Sequence, residues 1–593
     1  MRPWRGRRSR SSGKPTHALV SLARSYLRPY RRVVITVVAL QLVQTLALLY
    51  LPTLSAHVID QGVLTGDTGF ILRTGGVMLL VSLLQVVCVV GAVTASGYAA
   101  MAVGRDIRAA LFDRVQGFSS REVGSFGSAS LVTRTTNDVQ QVQSLVLAAL
   151  TGLVSAPVMA FGGTVLALRQ DVPMAVALVA VTPLLTVPMV LIVRRLRPLF
   201  RSMQQQVDAV NRVLREQITG MRVIRAFARD EYERRRFMQS NDELTEVAER
   251  AGLLTTSMFP LAATLVNLFS VLMVWLGTFR VHAGRMEVGA LTAFLGYLTL
   301  ILVAVVTATF MLMMMPRAEI SAERIAEVLS TESSVGMMSA SLEQVSRPGH
   351  LDLQGVYFSY PGAEEAVLRG VDLIARPGET TAVVGSTGSG KSTLLGLVPR
   401  LADTTAGRVL VGGEDVRSLP RSVLSRAVGF VPQTASLIAG TVASNLRFGR
   451  PDASDDDLWR ALEVTQAKDF IEALDDGLEA SVSQGGANFS GGQRQRLAIA
   501  RVLVHRPHIY LLDDSFSALD YTTEVRLREA FAQEVSGAAV LMVSQRVASI
   551  RHADRIVVLE SGAVVGTGTH DELLVTSPVY REIVLSQPDE ETE

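Results

Sequence analysis

Six long apolar runs in the first part of the chain constrain its fold more than any other sequence feature. Each run is long enough to cross a bilayer core of about 30 Å at about 1.5 Å per helical residue. A hydrophobic content of 48% with 19% charged residues agrees with a membrane protein. The runs predict six transmembrane helices at 33–55, 75–103, 145–168, 172–193, 251–279 and 288–316.

A basic segment precedes the first run. Residues 1–32 hold nine Arg together with Lys14, and residues 17–30 carry apolar groups at helical spacing beside Arg. That pattern is typical of a short helix lying in the membrane interface. No short apolar segment with a cleavage site follows the basic start, so the first run is expected to be a retained span.

The basic residues indicate how the spans are oriented. The connection after the second span holds five Arg, and the one after the fourth holds thirteen between Arg194 and Arg250, whereas the alternate connections hold one or two each. Because basic residues are enriched in cytoplasmic loops, both termini are predicted to be cytoplasmic. Only three of 57 basic residues are Lys, a bias that indicates a bacterial source and therefore the plasma (inner) membrane.

The two Arg-rich connections are long and have helical periodicity, as in 106–115 and 207–215. They predict two helical stalks that project into the cytoplasm, with turns near 125–130 and 219–227. After the last span, residues 331–349 lose periodicity and are expected to form a linker. From residue 350 strands and helices alternate, which predicts an α/β domain.

A glycine-rich loop in this second region matches G-x-x-x-x-G-K-[ST] and lies between a β-branched strand and a helix. Its glycines let backbone N–H groups curl around a phosphate, and the helix N-terminus adds partial positive charge. A chain that otherwise uses Arg keeps Lys here, where a compact ammonium suits the loop. The candidate nucleotide-binding residues are Gly385, Ser386, Thr387, Gly388, Ser389, Gly390, Lys391, Ser392 and Thr393.

Further motifs follow in a fixed order. The apolar strand 510–513 ends in Asp513 and Asp514, and the first carboxylate suits Mg²⁺. A second set of backbone N–H groups opens the helix after Ser490 and suits a γ-phosphate. Tyr360 can stack on an adenine. The other candidates are Gln433, Phe489, Gly491, Gly492, Gln493 and Asp520.

Together these motifs resemble the nucleotide-binding domain of ABC transporters over about 350–586, and the six spans resemble the exporter-type (type IV) transmembrane domain. The resemblance implies a half-transporter in which two chains pair and enclose two ATP molecules, each between one chain's phosphate loop and the other chain's Ser-Gly-Gly-Gln. It also implies that the two cytoplasmic turns are coupling helices. The implied catalytic residues are Asp514, Gln545 and Gln433, and the implied Mg²⁺ ligands are Ser392, Gln433 and Asp513.

The predicted fold class is a six-helix membrane domain with long cytoplasmic extensions, followed by an α/β P-loop ABC ATPase domain. The predicted boundaries are 1–32 for the cytoplasmic N-terminus with its interfacial elbow helix, 33–330 for the transmembrane domain, 331–349 for the linker and 350–593 for the nucleotide-binding domain.

Two departures from the family pattern matter most, and a third, Phe489 in place of the usual Leu before Ser490, is conservative. Asp514 stands where the family has a catalytic Glu, and Gln545 stands where it has the switch His. Aspartate is shorter by one methylene, and glutamine cannot carry a positive charge. The resemblance is therefore to the degenerate subunit of heterodimeric bacterial exporters, with a different partner chain that carries Glu and His. The alternative is a homodimer in which Asp514 is a slow base. His552, nearby, is predicted to be a surface residue.

The transported compound is the least constrained part of the prediction. The sixth predicted span carries Met311, Met313, Met314 and Met315, whose flexible thioethers suit a wall for varied apolar ligands or simple packing against lipid and other helices. By resemblance, efflux of amphiphilic small molecules is favoured. Export of lipid or peptide, import of a siderophore and a regulatory, non-transporting role remain open alternatives. The spans exclude a soluble ATPase that acts on DNA or translation, and a net charge of +2 gives no indication of nucleic-acid binding.

Overall fold

A computed structural model of the chain describes residues 15–336 and 342–587. The predicted N-terminal segment up to residue 14, part of the predicted linker and the last six residues lie outside this description. The chain forms two compact units. The first comprises the residues up to Gln116 together with Gly127–Thr331, and the second comprises Gly117–Phe126 together with the residues from Glu332 onward.

The first unit is entirely helical within the described residues. The short helix predicted at 17–30 is present as the helix α1 followed by a 3₁₀ turn at Arg28–Tyr30, and both precede the long helices. The helices are α1 Pro15–Leu27, α2 Arg31–His57, α3 Thr68–Gln116, α4 Ser120–Phe126 (which belongs to the second unit), α5 Ser128–Thr133, α6 Val139–Gly152, α7 Ser155–Gln170, α8 Val172–Ala226, α9 Asp230–His282 and α10 Val288–Ser330.

Among residues 15–336 and 342–587, six helical stretches are long and apolar enough to cross a membrane, as the sequence predicts. Several of them continue well beyond the predicted span; α8 and α9, for example, have 55 and 53 residues. At about 1.5 Å per residue each is roughly 80 Å long, more than twice the thickness of a bilayer core. The predicted stalks are therefore continuous with their spans.

Interactions at helix ends determine where the spans begin. The carboxylate of Asp171 caps α8 by accepting from the Met174 N–H at 3.0 Å, and Arg280 donates to the same carboxylate at 2.7 Å. Asp60, in a π-helical segment after α2, accepts from the Gly289 N–H at 2.6 Å in the first turn of α10. These bonds satisfy terminal N–H groups that the helices cannot satisfy themselves.

The first cytoplasmic turn differs from the prediction. The sequence predicts it near 125–130, but the short turning helix α4 begins at Ser120 and ends at Phe126. The Glu122 carboxylate accepts from the Ser119 N–H at 3.0 Å and from its hydroxyl at 2.7 Å. The S-x-x-E spacing of Ser119 and Glu122 is the signature of a capping box, and it could have located this helix correctly.

The second cytoplasmic turn also differs. The sequence predicts a separate short element at 219–227, but α8 continues without a break to Ala226. The chain reverses over residues 227–229, where Ala228 has a φ of 50°, and α9 begins at Asp230. Residues 219–226 have no glycine or proline after Gly220 to interrupt the helix, so its hydrogen-bond ladder continues.

The described residues of the second unit form three sheets. Their strands are β1 Leu351–Phe358, β2 Leu368–Ala375, β3 Thr380–Val384, β4 Ala406–Val411, β5 Glu414–Asp415, β6 Val428–Val431, β7 Gly440–Thr441, β8 Ser481–Val482, β9 Ile509–Asp513, β10 Ala539–Val543, β11 Arg555–Glu560 and β12 Ala563–Gly568.

Ten further helices complete the described part of this unit. They are α11 Lys391–Leu397, α12 Arg421–Ala427, α13 Val442–Leu446, α14 Asp455–Val464, α15 Lys468–Glu472, α16 Gly491–His505, α17 Tyr521–Glu534, α18 Val547–Ile550, α19 His570–Thr576 and α20 Pro578–Leu585, with 3₁₀ turns at Gly477–Glu479 and Gln484–Gly486.

The main sheet has six strands in the order β12-β11-β3-β10-β9-β6, of which all but β12 are parallel. Its central strands are buried on both faces, and alternate residues point to two different hydrophobic cores. In β10, for example, Val540 and Met542 belong to one core and Leu541 to the other. The sheet places the ends of β3, β9 and β10 at one edge, where ligands bind in such sheets.

Candidate functional site

The glycine-rich loop joins the end of β3 to the start of α11 at the carboxyl edge of the main sheet. Gly388 and Gly390 have φ values of +87° and +100°, which side chains rarely adopt. A Cβ on Gly390 would lie 2.8 Å from the Leu368 side chain and 3.0 Å from the Val367 carbonyl oxygen. Glycine is therefore required here on both conformational and steric grounds. Ser386 and Thr387 are exposed, whereas Ser389 is buried in the loop.

Lys391 crosses this loop from its C-terminal end. Its ammonium donates to the carbonyl oxygens of Gly385 and Ser386, both at 2.8 Å, and lies 3.4 Å from the Ser389 hydroxyl. The side chain is 7% exposed. Burial lowers the pKa of Lys391, while the nearby carboxylates of Asp514 and Asp513 act in the opposite direction. A cation held within a ring of backbone groups fits an anionic phosphate ligand.

Ser392 and Asp513 lie side by side. The Ser392 hydroxyl donates to the Asp513 carboxylate at 3.0 Å, and burial raises the pKa of that carboxylate. One carboxylate and one hydroxyl are hard oxygen ligands, and Mg²⁺ is usually held by one or two carboxylates together with substrate phosphates and waters. Within the described residues no group of three or more His, Cys, Asp or Glu could hold a metal by itself. The donors present therefore fit a Mg²⁺ ion that arrives with a nucleotide.

Asp514 directly follows β9 and has a φ of +48°. Its N–H donates to the Val543 carbonyl at the end of β10, at 2.9 Å. Its side chain is half-buried and accepts from the Gln433 amide at 3.4 Å. Gln433 follows β6 and lies beside Asp514. The sequence predicts that Gln433 and the two carboxylates share one site, and the structure brings them together. Aspartate is among the residues that tolerate this left-handed conformation.

Gln545 lies in the loop between β10 and α18, with an exposed side chain. The loop's backbone is fixed by Gln587, whose amide donates to the Gln545 carbonyl at 2.7 Å and accepts from the Val547 N–H at 2.8 Å. The buried Glu524 carboxylate adds an ion pair with Arg546 at 2.9 Å. Sequence reasoning missed Gln587, since no local pattern links it to a loop about forty residues earlier. His552 is exposed, as predicted.

Tyr360 follows β1 and presents half of its surface, 52%, to solvent. Its hydroxyl lies 3.1 Å from the Thr393 hydroxyl, at the start of α11, and its ring meets the edge of Phe358 at 4.9 Å. An exposed aromatic ring fixed beside the phosphate loop is suited to stack on a base.

Ser490 caps the N-terminus of α16. Its hydroxyl accepts from the Gln493 N–H at 3.3 Å, and the Gln493 side chain accepts from the Ser490 N–H at 2.8 Å. The hydroxyl accepts in this bond, so its own proton remains available for a ligand. A Cβ on Gly491 would meet nothing within 4 Å. The N–H groups of this turn are therefore sterically accessible to a phosphate.

Phe489, which precedes Ser490, is largely buried in the core of the second unit. It is 6% exposed, and its ring packs against Phe470 at 6.4 Å. Arg494 donates to the Phe489 carbonyl at 2.7 Å and to the Gly486 carbonyl at 3.3 Å. These contacts hold the loop that leads into α16, and Arg494 is a further positioning residue that the sequence analysis did not identify.

The candidate residues fall into two clusters. Hydrogen bonds join Ser392 to Asp513 and Gln433 to Asp514, and the charges of both carboxylates act on Lys391. No hydrogen bond among the described residues joins this first cluster to Ser490–Gln493. Asp520 belongs near the second cluster. It caps α17 by accepting from the Thr523 N–H at 3.0 Å, which lowers its pKa. The Ala518 carbonyl oxygen, two residues before Asp520, would lie 3.1 Å from a Cβ atom placed on Gly492, so this segment packs against the turn at Ser490.

Comparison with known protein families gives two matches along the chain. Residues 34–305 match the ABC transporter transmembrane region, and residues 368–517 match the ABC transporter family. The second match includes the phosphate loop, the turn at Ser490 and both carboxylates. It implies that this domain binds ATP.

Individual proteins match over nearly the full length. An uncharacterized ABC transporter ATP-binding protein of Mycobacterium tuberculosis is 46% identical over 96% of this chain and 98% of its own length. A putative multidrug export ATP-binding/permease protein of Bacillus subtilis is 29% identical over 95% and 98%. A solved bacterial Atm1-family ABC exporter with ATP bound shares the fold, with a TM-score of 0.78, 22% identity and coverage of 96% and 99%.

Proposed function

This chain belongs to the ABC transporter family, and we propose that it is the degenerate-site half of a heterodimeric exporter of amphiphilic small molecules. The family and the exporter fold make it a multi-pass membrane protein and an ATP-hydrolysing transporter that works as a dimer, with a second half-transporter or with itself. The proposal adds that the partner is a different chain. The amphiphiles are drug-like compounds or lipids, moved across the plasma membrane with both termini in the cytoplasm.

The observation that carries the proposal is the contrast between the two clusters. Asp514 and Gln545 occupy positions at the phosphate-loop cluster where the family has Glu and His, whereas Ser490–Gln493 is unchanged. A shorter carboxylate withdraws its oxygens from the attacking water by about one carbon–carbon bond length, and a misplacement of about 1 Å can cost about 100-fold in rate. Gln545 can donate a hydrogen bond but cannot become positively charged.

Each residue of the phosphate-loop cluster then has a binding task. Lys391 balances phosphate charge, and the loop N–H groups orient the phosphates. Tyr360 stacks on the adenine. Ser392, Asp513 and Gln433 would hold Mg²⁺, which when bound neutralises charge that develops on the phosphates. Gln433 also keeps Asp514 oriented through the contact at 3.4 Å. The cluster retains ATP and hydrolyses it slowly.

The second cluster serves the ATP that the partner chain holds. The Ser490 hydroxyl and the N–H groups of Gly491 and Gly492 stabilise negative charge on its γ-phosphate, and Gln493 keeps the turn rigid through its cap. Asp520, near this turn, is placed to meet the partner chain. Hydrolysis takes place at this composite site, where the partner supplies the Glu and the His.

The alternatives make different predictions about the same complex. In a homodimer Asp514 would be a slow base at two equivalent sites. A siderophore-like importer would use the same nucleotide clusters with the opposite direction of transport. The name of the Bacillus subtilis relative, a putative multidrug exporter, supports export.

The test is to purify the native complex from membranes through a tag on this chain and identify its subunits by mass spectrometry. The proposal expects two different half-transporters in equal amounts. It also expects that Asp514→Asn changes ATP turnover less than twofold, because the catalytic Glu belongs to the partner. A complex with only copies of this chain, whose turnover Asp514→Asn abolishes, would establish the homodimer instead.

A further inference from the structure

A large cavity lies within the membrane unit, away from the nucleotide clusters. It has a volume of about 980 Å³ and is formed by α1, α2, α6, α7, α8 and α10. This volume is at the upper end of the range for small-molecule pockets, which is about 300–1,000 Å³. Its walls are almost entirely apolar, with Val38, Leu145, Leu150 and Val190 among the lining residues. Met311 and Met315 line it, whereas Met313 and Met314 do not.

One lining residue carries a charge. Within the described part of the chain, the residues that line the cavity include a single ionisable side chain, Arg24 of α1. Arg24 is exposed and makes no hydrogen bond or ion pair with another described residue. An Arg guanidinium presents five donors in a planar fork that matches a carboxylate or a phosphate. Beside an apolar cavity, it favours an anionic partner over water more strongly than it would in bulk solvent.

The cavity offers few other polar groups. The Thr186 hydroxyl already donates to the Thr182 carbonyl at 2.8 Å, and the Thr309 hydroxyl donates to the Val305 carbonyl at 2.7 Å. The remaining hydroxyl groups in the lining belong to Thr182 and Thr307. A ligand with many hydroxyl or amide groups, such as a siderophore, would lose more hydrogen bonds to water there than these two groups can replace. The wall therefore selects for alkyl surface, and Arg24 selects for one negative charge.

We propose that this cavity binds an anionic amphiphile, with its carboxylate or phosphate on Arg24 and its alkyl tail between α2, α7 and α10. On the proposed orientation α1 lies at the cytoplasmic face, so the ligand enters from the inner leaflet. The inference rests on the proposed function in one respect, because anionic amphiphiles are the transported class only if the chain exports amphiphiles. The binding itself depends on the cavity and Arg24 alone.

Binding is tested with a long-chain alkyl phosphate that carries a diazirine, and with the matching alkyl alcohol as a neutral probe. The purified complex in lipid vesicles is photolabelled, and labelled peptides are identified by mass spectrometry. Labelling by the phosphate should fall on the segments around Arg24 and Met311. Arg24→Gln should lower labelling by the phosphate about tenfold, which is the loss expected for one charge-assisted pair. Labelling by the alcohol should stay within twofold of its original level. Arg24→Lys should retain most of the labelling by the phosphate.

Matched controls separate the site from general effects on the protein. Arg28→Gln removes a nearby exposed Arg that does not line the cavity and should change nothing. Ala308→Phe places a ring in the cavity and should abolish labelling by both probes, whereas Val303→Phe, at an exposed position of the same helix outside the cavity, should not. Equal losses in Arg24→Gln and Arg28→Gln, or full labelling in Ala308→Phe, would overturn the proposal. Photocrosslinks that place helices of the second half-transporter inside the cavity would do the same.

ATP-driven movement of the probes in vesicles tests the transported class separately. If the complex moves the alkyl phosphate, and Arg24→Gln reduces that movement about tenfold as it reduces labelling, the result would support anionic amphiphiles as the transported class. Movement of a neutral or cationic dye but not of the phosphate would overturn this inference and leave export intact. If no amphiphile of any charge moves, the proposed export function fails, and the labelling result still decides whether the cavity binds the anion.

Discussion

The two clusters of candidate nucleotide-binding residues in this chain are built in different ways. The phosphate-loop region collects its residues from β1, β3, β6, β9 and β10 and their following loops, and side-chain hydrogen bonds link them, such as Ser392 to Asp513 at 3.0 Å. The region at Ser490 is almost self-contained, because one capping box and the packing of Phe489 hold the turn. The first region carries Asp514 and Gln545 in place of the family's Glu and His, whereas the second carries only the conservative Phe489 in place of Leu.

Because the two regions are built differently, this chain could lose ATP hydrolysis at its own phosphate loop and still bind ATP there. A region assembled from several strands can lose the catalytic groups at the ends of β9 and β10 while keeping the loop and Lys391 that hold phosphates. A single turn offers less freedom, since a change at Ser490 or Gly491 would alter the N–H groups that are proposed to bind the γ-phosphate. On the proposed function, retained binding and donated catalysis are therefore separable by mutation, and the following predictions test that separation.

The largest effect is expected from Gly491→Ala. A Cβ at this position meets nothing within the chain, so folding should be unchanged, but it would stand where the partner's γ-phosphate approaches. ATP turnover of the complex should fall about 100-fold. Gly537→Ala is a matched control, because its Cβ also meets nothing and it lies in a loop far from either motif in sequence. If Gly491→Ala and Gly537→Ala turned over ATP at the same rate, the proposed contact of Gly491 with the partner's γ-phosphate would be contradicted.

Lys391→Ala should weaken ATP binding at this chain's own pocket by tenfold or more, because it removes a charge-assisted contact to phosphate. Labelling with a photoreactive ATP analogue, resolved by subunit, measures this. Lys468→Ala is the control, since Lys468 makes only an ion pair with Glu472 at 4.0 Å on the protein surface. If both variants label equally, this chain's phosphate loop does not hold the nucleotide as proposed.

Gln587→Ala should have a smaller effect, about threefold, on ATP affinity at the same pocket. It removes two hydrogen bonds to the backbone of the loop that carries Gln545, and each such bond contributes about 1 kcal/mol. If Gln587 acts by positioning Gln545, the double variant with Gln545→Ala should lose no more than the larger single variant. Ser586→Ala controls for damage to the end of α20. Additive losses would show that Gln587 acts elsewhere.

The smallest change is a gain of about twofold in turnover from Asp514→Glu combined with Gln545→His, because two competent sites would replace one. The gain should disappear when Lys391→Ala is added, which shows that it comes from this chain's pocket. Steady-state ATPase of the purified complex measures both variants. No gain, with the ATP affinity of the pocket unchanged, would mean that other residues also limit this site.

Much of the architecture could be predicted because it depends on local patterns. The six spans follow from runs of apolar residues, and the phosphate loop follows from eight consecutive residues between a strand and a helix. The two cytoplasmic turns were misplaced because helix ends depend on capping contacts. The S-x-x-E spacing of Ser119 and Glu122 marks the start of α4 in the sequence, whereas the end of α8 at Ala226 has no comparable mark.

The sequence alone determined the candidate residues of the clusters: the residues proposed to bind phosphate, the carboxylates that follow β9, and the positions that depart from the family pattern. Tertiary structure alone decided how they are held, including the Gln587 contact with the Gln545 loop and the cavity that brings Arg24 beside Met311 and Met315. The physical reason is how far apart along the chain the interacting residues lie. Motifs and periodicity arise from neighbours along the chain, whereas hydrogen bonds and cavities arise between segments that only folding brings together.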